Sequence, residues 1–416
     1  MIEGLPLRAF GPALLAIAVC HSLFAQQPPL HTTGYWHTQG NQIVDDTLRP
    51  VRIEAINWYG FETRDRVPHG LEQQDYHAIL ASIHALGFNV LRLPFSNEAV
   101  ESNTIPDKIG FTNGKGKINQ DLRHLHTLEV MDHIIDAAGD LGLRVILDNH
   151  RSDAGDGPQS SGLWYTNRFP ESRWIADWQM LAGRYKTKFN KNGQPIVVGF
   201  DLRNEPHSIG STGGACWTGD QARGGCPPSN ATQNWTSAAI RAGNAILLEN
   251  PGLLIFVEGT DCYEGDCTFW GSNLEGVRNS KVVLTLPDHV VYSVHDYGPS
   301  EYHHAWFNAS TTSSTLVNIW MKYWGFLIAD SIAPVWVGEF GTGPKPSDAA
   351  DQAPGSQGQW FSVLTSFLAA HPVINWGYWA LNGEDRYGIL NRDYSAVIDR
   401  GSPRQQALAE LLLPCN

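Results

Sequence analysis

Residues 199–206 read Gly-Phe-Asp-Leu-Arg-Asn-Glu-Pro, and this stretch decides the fold that the sequence predicts. The apolar run at 195–200 leads into it and is typical of a buried β-strand. Pro206 cannot donate to a sheet ladder and disfavours helix at Glu205, so the strand should end there. Asn204 and Glu205 would then lie at its carboxyl end, the edge at which parallel α/β folds carry their chemistry. On their own, Asn204 and Glu205 could simply be solvated residues at a strand end. A catalytic interpretation requires a second functional residue elsewhere in the chain.

Strands and helices alternate on both sides of this stretch. The apolar pattern predicts eight strands, at residues 51–58, 88–95, 143–150, 195–200, 253–258, 290–296, 333–340 and 373–381. Helical spacing predicts helices at 76–86, 125–138, 171–189, 235–246, 315–329, 356–370 and 405–413, while the segment after the fifth strand has no clear helical period. This alternation predicts a (β/α)8 TIM barrel in the α/β class.

We expect a single barrel domain over residues 30–416, because the sequence has no short-period repeat and no Pro/Thr/Ser-rich linker. Gly-rich stretches at 210–225 and 341–358 fit loops over the barrel rim. Two short extended stretches around the turn at 45–47 predict a small β extension before the first barrel strand.

Composition excludes some classes of function. The chain has 416 residues, a formal net charge of −13 and 17% charged residues. Nucleic-acid binding depends on cationic contacts to phosphate, so this balance argues against that partner. The chain also carries 15 Trp, 13 Tyr and 16 Phe. Such aromatic content fits a packed core, and it also suits a site that stacks on flat ligands such as sugar rings.

Residues 1–25 have the pattern of a secretory signal peptide. Arg8 gives a weak basic start, and residues 9–24 form an apolar stretch that is short for a membrane span. We therefore expect cleavage after Ala25 and a secreted protein, extracellular or periplasmic, with no membrane contact after cleavage. The alternative is that the segment remains as an N-terminal anchor.

After secretion, the cysteines of the mature chain would face an oxidising compartment. Cys20 lies in the leader, and five others remain in the mature chain. The spacing predicts two local disulfides, Cys216–Cys226 around a Gly-rich loop and Cys262–Cys267 around a tight turn. Cys415 is then left without a partner. A zinc site is less favoured, because neither pair has the close spacing of a structural site.

A second carboxylate supplies the partner for Glu205. Glu339 ends the predicted strand at 333–340, again after an apolar run and before a breaker, Gly341. Both glutamates would lie on one barrel rim although they are far apart in sequence. Paired carboxylates there suit glycosidic cleavage, in which one protonates the leaving oxygen and the other attacks or activates water.

With these residues in place, the chain resembles the glycoside hydrolases of family 5, close to the bacterial endo-β-1,4-glucanases (cellulases). The resemblance rests on Gly-Tyr-Trp-His-Thr at 34–38, Asn-Trp-Tyr-Gly-Phe-Glu-Thr at 57–63, Leu-Arg-Leu-Pro at 91–94, Asp-Asn-His-Arg at 148–151, residues 199–207, His-Asp-Tyr at 295–297 and Val-Gly-Glu-Phe-Gly at 337–341. It implies retaining, double-displacement hydrolysis of internal β-1,4-glucosidic bonds in cellulose or related β-glucans. Glu205 would be the acid/base and Glu339 the nucleophile.

The resemblance also implies six further site residues: Arg92, His150, Asn204, His295, Tyr297 and Trp379. Asn204 would bond the sugar 2-hydroxyl, a contact that strengthens in the transition state. His150 would reach another substrate hydroxyl, and Trp379 would form a flat floor for the sugar ring.

Other members of this set would act on the glutamates. Arg92 and Tyr297 would bond Glu339 and keep it ionised, and His295 would contact Glu205 and assist its proton exchange. Aromatic residues should line the cleft further out. Trp270 and Trp379 are the first candidates, with Trp58 and Trp217 less favoured.

Several alternatives stay open. Within the hydrolases they are a mannanase, a mixed-linkage glucanase and a xyloglucanase, which the rim loops would distinguish. Others are a transglycosylase that uses the same intermediate, a non-catalytic glycan-binding barrel, and a metal-dependent hydrolase using His150, His295 and Asp296. The favoured reading needs no cofactor and no metal. Its partner is a β-glucan polysaccharide or oligosaccharide, and we expect a monomer.

Overall fold

The computed structural model describes residues 32–412, so the expected signal peptide at 1–25, Cys20 and Cys415 lie outside the described residues. The predicted barrel is confirmed, because eight parallel strands close on themselves in chain order. Those strands are Glu54–Asn57, Val90–Ser96, Arg144–Arg151, Val197–Asp201, Leu254–Glu258, Val290–His295, Val335–Phe340 and Asn375–Tyr378. We number them 1 to 8.

Helices surround this barrel. The α-helices are Tyr76–Leu86, Asn97–Ser102, Thr127–Asp140, Glu171–Tyr185, Trp235–Glu249, Ser313–Trp320, Phe326–Ala329, Pro346–Ala350, Gln357–Ala370 and Pro403–Leu412. Short 3₁₀ helices occupy Gln120–Leu122, Gln221–Arg223 and Glu275–Arg278. Within residues 32–412, no helix has both the length and the apolar content needed to cross a bilayer.

Two helical segments differ from the sequence prediction. The helix expected at 315–329 is interrupted by a π-helical turn, Met321–Gly325, which separates two α-helical parts. Apolar spacing cannot reveal this change, because it reports the buried face and not the hydrogen-bond register. After strand 5, in the segment without a helical period, the only helix among the described residues is the 3₁₀ helix Glu275–Arg278.

Four small antiparallel units decorate the barrel. Three are two-stranded hairpins, Thr112–Asn113 with Gly116–Lys117, Ser208–Ile209 with Gly213–Gly214, and Cys262–Tyr263 with Asp266–Cys267. The fourth is the expected N-terminal extension. It has three strands, His37–Gln39, Gln42–Val44 and Pro50–Val51, where the sequence predicted two extended stretches.

The N-terminal sheet closes the floor of the barrel. Trp36 and Ile43 are buried at 1% exposure and pack against residues near the amino ends of the barrel strands, such as Ile146 and Val198. The Arg144 guanidinium lies 5.7 Å from the Trp36 ring. Because this end is filled by side chains, a substrate reaches the barrel axis only from the opposite rim.

Two disulfides tie loops on that rim. Cys216–Cys226 lies in the loop after strand 4, and Cys262–Cys267 closes the hairpin after strand 5. Both pairings agree with the sequence prediction.

Candidate active site

Two hydrogen-bond donors enclose the carboxyl group of Glu339, which lies near the carboxyl end of strand 7. Arg92 Nη1 donates to its Oε1 at 2.6 Å, and the Tyr297 hydroxyl donates to its Oε2 at 2.9 Å. Burial alone raises the pKa of this carboxyl, but the positive charges of His295 and Arg92 outweigh burial and hold the pKa below its usual value. The site therefore keeps Glu339 ionised, as a nucleophile requires.

Glu205 lies opposite, in the loop after strand 4. Its φ is +49°, in the left-handed region, and its N–H donates to Glu258 Oε2 at 2.7 Å. Its carboxyl Oε1 is hydrogen-bonded to His295 Nδ1 at 3.0 Å. An oxygen of Glu205 and an oxygen of Glu339 lie within 4.8 Å of each other. One sugar linkage can therefore touch both groups.

His295 connects the carboxylates. Besides Glu205, its Nδ1 lies 3.5 Å from Glu339 Oε2, and its Nε2 lies 3.2 Å from Glu258 Oε1. The second contact is a close approach of charges and not an aligned hydrogen bond, because neither atom has a hydrogen-bond partner. Burial lowers the pKa of the imidazole, but the charges of Glu258 and Glu339 overcome burial and raise it well above its ordinary value.

Arg92 is the fully buried hub beneath the site. Its Nε and Nη2 donate to Asp201 Oδ2 at 3.1 and 2.9 Å, and Nη2 also lies 3.2 Å from Asp148. Nη2 donates to Asn204 Oδ1 at 3.2 Å, which fixes the amide that precedes Glu205. Burying these carboxyl groups together is tolerable because each lies against the Arg92 guanidinium.

Sequence reasoning missed three members of this network: Asp148, Asp201 and Glu258. A signal was available, since Asp201 and Glu258 end strands 4 and 5 just as Glu339 lies at the end of strand 7. The pKa of the Asp201 carboxyl is raised well above its usual value by burial, in spite of Arg92.

A flat aromatic surface borders the glutamates on one side. Trp379 stacks on Tyr59, with ring centroids 5.3 Å apart, and on His150, with centroids 5.4 Å apart. Its Nε1 donates to Asp385 Oδ2 at 3.2 Å, and His150 Nδ1 is bonded to Asp148 at 2.7 Å. The structure thus brings Trp379 and His150 together and links them, through Asp148, to Arg92.

The predicted cleft position of Trp58 is wrong. The sequence placed it in the cleft, but its side chain is fully buried and its Nε1 donates to the His69 carbonyl at 2.9 Å. The next residue, Tyr59, takes the cleft position, because successive side chains on an extended chain point to opposite faces. Trp217 is likewise buried, with Nε1 bonded to the Ser280 carbonyl, so it does not line the cleft either.

Trp270 lies beside Glu205, through His207, and is 44% exposed. It stacks face to face on His207, and His207 Nδ1 is bonded to the Glu205 carbonyl at 2.7 Å. The ring therefore offers one open face next to the acid/base candidate, as a stacking site for a sugar requires.

The three residues of the metal-binding alternative, His150, His295 and Asp296, do not form a donor cluster among residues 32–412. Asp296 accepts from Trp360 Nε1 at 2.7 Å and is buried away from His150. Among residues 32–412, only Glu205, His295 and Glu339 bring three donor atoms close enough for an ion. His295 Nδ1 is already hydrogen-bonded to Glu205 Oε1, and we assign no metal there.

Comparison with known proteins points to one family. Residues 44–385 match the model of the cellulase family, glycosyl hydrolase family 5. An endoglucanase of Paenibacillus polymyxa is 40% identical over 386 residues, which is 92% of this chain and 88% of that protein. The major extracellular endoglucanase of Xanthomonas campestris pv. campestris is 33% identical, over 88% of this chain and 69% of that protein.

Solved structures agree. The endocellulase of Pyrococcus horikoshii, crystallised with cellotetraose, superposes with a TM-score of 0.76 at 32% identity, covering 92% of this chain and all of that chain. The catalytic domain of the Xanthomonas enzyme gives a TM-score of 0.75 at 32% identity, covering 91% of this chain and 99% of that chain.

Proposed function

Because this chain belongs to the cellulase family, glycosyl hydrolase family 5, we propose that it is a secreted, retaining endo-β-1,4-glucanase that cleaves β-glucan chains by double displacement. The chain is a glycoside hydrolase, and its relatives are endoglucanases. We propose the cleavage of β-1,4 linkages, retention of configuration at the anomeric carbon and the roles of Glu205 and Glu339.

The distance between the Glu205 and Glu339 carboxylates is the observation that supports a retaining mechanism. Retaining glycosidases hold their two carboxyl groups about 5–5.5 Å apart, and inverting enzymes about 6.5–9.5 Å apart to admit a water. Oxygens of Glu205 and Glu339 lie within 4.8 Å of each other, which fits the shorter, retaining separation. This distance supports direct attack by one carboxylate.

In the first step, Glu339 attacks the anomeric carbon and forms a glycosyl-enzyme ester, while Glu205 gives its proton to the departing glycosidic oxygen. In the second step, Glu205 takes a proton from water, and the water oxygen displaces Glu339. The cage of Arg92, Tyr297 and His295 supports this assignment, because it favours the charged form of Glu339 before attack.

The surrounding groups suit a sugar chain. Trp379 and Tyr59 offer apolar faces on one side of the glutamates, and Trp270 offers one on the other, so a chain would be bound across the point of cleavage. Binding on both sides is what internal cleavage of a polymer needs. Cellotetraose bound to the Pyrococcus relative supports a β-glucan as the substrate.

Two observations support secretion. The chain carries two disulfides, which persist in oxidising compartments. The Xanthomonas relative is described as extracellular.

The test is a product profile on carboxymethyl cellulose, mixed-linkage glucan, mannan and xyloglucan. We expect rapid loss of viscosity with carboxymethyl cellulose, and NMR should detect the β-anomer of the new reducing end before the α-anomer. Mannan cleavage well above glucan cleavage would overturn the substrate, and α appearing first would overturn retention. Unchanged activity after chelator treatment would exclude the metal-dependent alternative.

A further inference from the structure

Glu258 occupies a position under the site that the double-displacement scheme does not use. It is the last residue of strand 5 and is fully buried. Its Oε2 accepts the Glu205 N–H at 2.7 Å. Its Oε1 lies 3.2 Å from His295 Nε2 and 3.6 Å from Arg92 Nη2. A single carboxylate thus touches both the backbone of Glu205 and the imidazole that bonds the Glu205 carboxyl.

The backbone contact matters because Glu205 has a φ of +49°, which residues with a side chain rarely adopt. Such a conformation persists only when the surroundings hold it. The Glu258 carboxylate supplies a charged acceptor for that N–H, and charge-assisted hydrogen bonds are about twice as strong as neutral ones.

Gly271 indicates how closely this carboxylate is enclosed. A Cβ at Gly271 would lie 2.3 Å from Glu258 Oε2 and 3.5 Å from Glu205 Cα. The loop that carries Trp270 therefore packs directly over the contact, and the Ser272 hydroxyl donates to the His295 carbonyl. Substitution of Gly271 reaches Glu258 from a different element without altering any charge.

The charges around Glu258 come from several strands. The titratable groups that face or influence it are Arg92, Asp148, Asp201, Arg203, Glu205, His295 and Glu339. Burial raises the pKa of Glu258, although His295 and Arg92 oppose burial, while Glu258 is the largest electrostatic cause of the raised pKa of His295. Without Glu258, the imidazolium would lose its main counter-charge.

We propose that Glu258 is a positioning residue for the acid/base: it holds the backbone of Glu205 and, through His295, directs the proton of the Glu205 carboxyl toward the leaving oxygen. An imidazolium Nδ1–H that donates to Glu205 Oε1 leaves Oε2 to carry the acid proton. After that proton has moved to the glycosidic oxygen, the same imidazolium balances the new carboxylate. This inference rests on the proposed roles of Glu205 and Glu339.

The test is Glu258→Gln, which keeps the shape and an oxygen for the Glu205 N–H but removes the charge next to His295. The values of kcat/KM are compared for aryl cellobiosides whose leaving groups range from dinitrophenol to phenol. We expect the dinitrophenyl substrate to change by less than about threefold, because it needs little protonation. The phenyl substrate should lose at least about tenfold, since acid catalysis contributes roughly a hundredfold or more.

A second readout follows the imidazole directly. The ¹⁵N NMR signal of His295, identified by its absence in His295→Asn, should titrate at lower pH in Glu258→Gln than in the unaltered protein. The matched control is Glu54→Gln, a partly buried glutamate at the amino end of strand 1, which should leave the leaving-group dependence and the His295 titration unchanged.

Gly271→Ala is a second way to disturb this contact, because the added methyl group would push the Glu258 carboxylate aside without removing its charge. Since Gly271 has a φ of +75°, thermal unfolding of this variant is measured alongside its activity. The variant should also lose more activity with phenyl than with dinitrophenyl cellobioside. Equal losses on both substrates, or an unshifted His295 titration, would refute the positioning role. Failure of the proposed function is separate: it would appear as an active Glu339→Gln enzyme, whatever Glu258→Gln does.

Discussion

The ring of Trp270 lies face to face on the ring of His207, with centroids 3.8 Å apart and planes 6° apart. His207 Nδ1 is in turn bonded to the Glu205 carbonyl at 2.7 Å. The open aromatic face beside the cleft is therefore fixed relative to the proposed acid/base through a single intervening residue. A sugar that stacks on Trp270 would be held in register with the bond that Glu205 is proposed to protonate.

Trp270→Ala should weaken binding of long chains more than it slows small activated substrates. The loss of a stacked indole face should weaken binding of cellohexaose by roughly 1–3 kcal/mol and so raise its KM by about 5- to 150-fold. The value of kcat/KM for dinitrophenyl cellobioside should change little. Phe189→Ala is a control at a similarly exposed aromatic next to Pro195, near the amino end of strand 4. Equal effects on both substrates would place Trp270 outside the chain-binding site.

Glu339→Gln and Glu205→Gln should fail in different ways. Without Glu339 no glycosyl-enzyme forms, so every substrate should fail alike. Without Glu205 the attack on dinitrophenyl cellobioside should survive, and the covalent intermediate should accumulate because water lacks its base. Mass spectrometry of the intact protein would detect the added cellobiosyl group.

Azide distinguishes the two roles further. It needs no base, so it should restore turnover of Glu205→Gln and give a β-glycosyl azide. Rescue of Glu339→Gln with an α-linked product would reverse the assignment. Full activity in both variants would remove the catalytic role of the pair.

Tyr297→Phe should shift the acid side of the pH profile. Since the pKa of Glu339 is depressed, the nucleophile stays ionised below the usual glutamate range, and activity is lost only as pH falls through that depressed value. Removing the hydroxyl that donates to Glu339 Oε2 at 2.9 Å makes the carboxylate less stable, so its pKa rises and the acid limb of kcat/KM moves to higher pH.

The same variant should lose activity at its pH optimum. A hydrogen bond to a charged group contributes about 1.5–3 kcal/mol, which corresponds to a loss of roughly ten- to a hundredfold. Circular dichroism would verify that the ring still packs. An acid limb that stays in place or moves to lower pH would contradict the role of Tyr297.

Loss of the two disulfides should have unequal effects on stability. Cys216–Cys226 spans a sequence separation of 10 and Cys262–Cys267 one of 5. The chain-entropy relation gives about 3 kcal/mol for the longer loop and about 2 kcal/mol for the shorter. Paired serine substitutions and urea unfolding would measure the free energy of unfolding. A larger loss for the shorter loop would indicate that the hairpin matters through its packing.

Apolar runs predicted all eight barrel strands because each strand is buried on both faces. Such a strand is a nearly continuous apolar run, which can be recognised without knowing the strand that pairs with it. The ends were less well placed. Strand 8 was predicted at 373–381 and spans Asn375–Tyr378, because the chain leaves the sheet just before Trp379 to form the cleft. Sequence alone cannot tell an apolar residue in the ladder from one that has turned toward a ligand.

Some site residues could also be predicted from sequence, and others could not. Glu205 and Glu339 could be found because each combines an apolar strand with a following breaker. The carboxylates around Arg92 could not be paired from sequence, since Asp148, Asp201 and Glu258 come from three different strands and meet only when the barrel closes. The prediction for Trp58 failed because one residue of register decides which face a side chain occupies.

The closed floor makes this barrel one-sided, and both ends of the described chain lie on the closed side. The Thr32 carbonyl accepts from Arg144 at the start of strand 3, and the Leu411 carbonyl accepts from Arg52 just before strand 1. The glutamates open toward the opposite rim. An affinity tag, a second protein module or a solid support joined near either end would therefore face away from the polymer, and an immobilised enzyme would present its cleft outward.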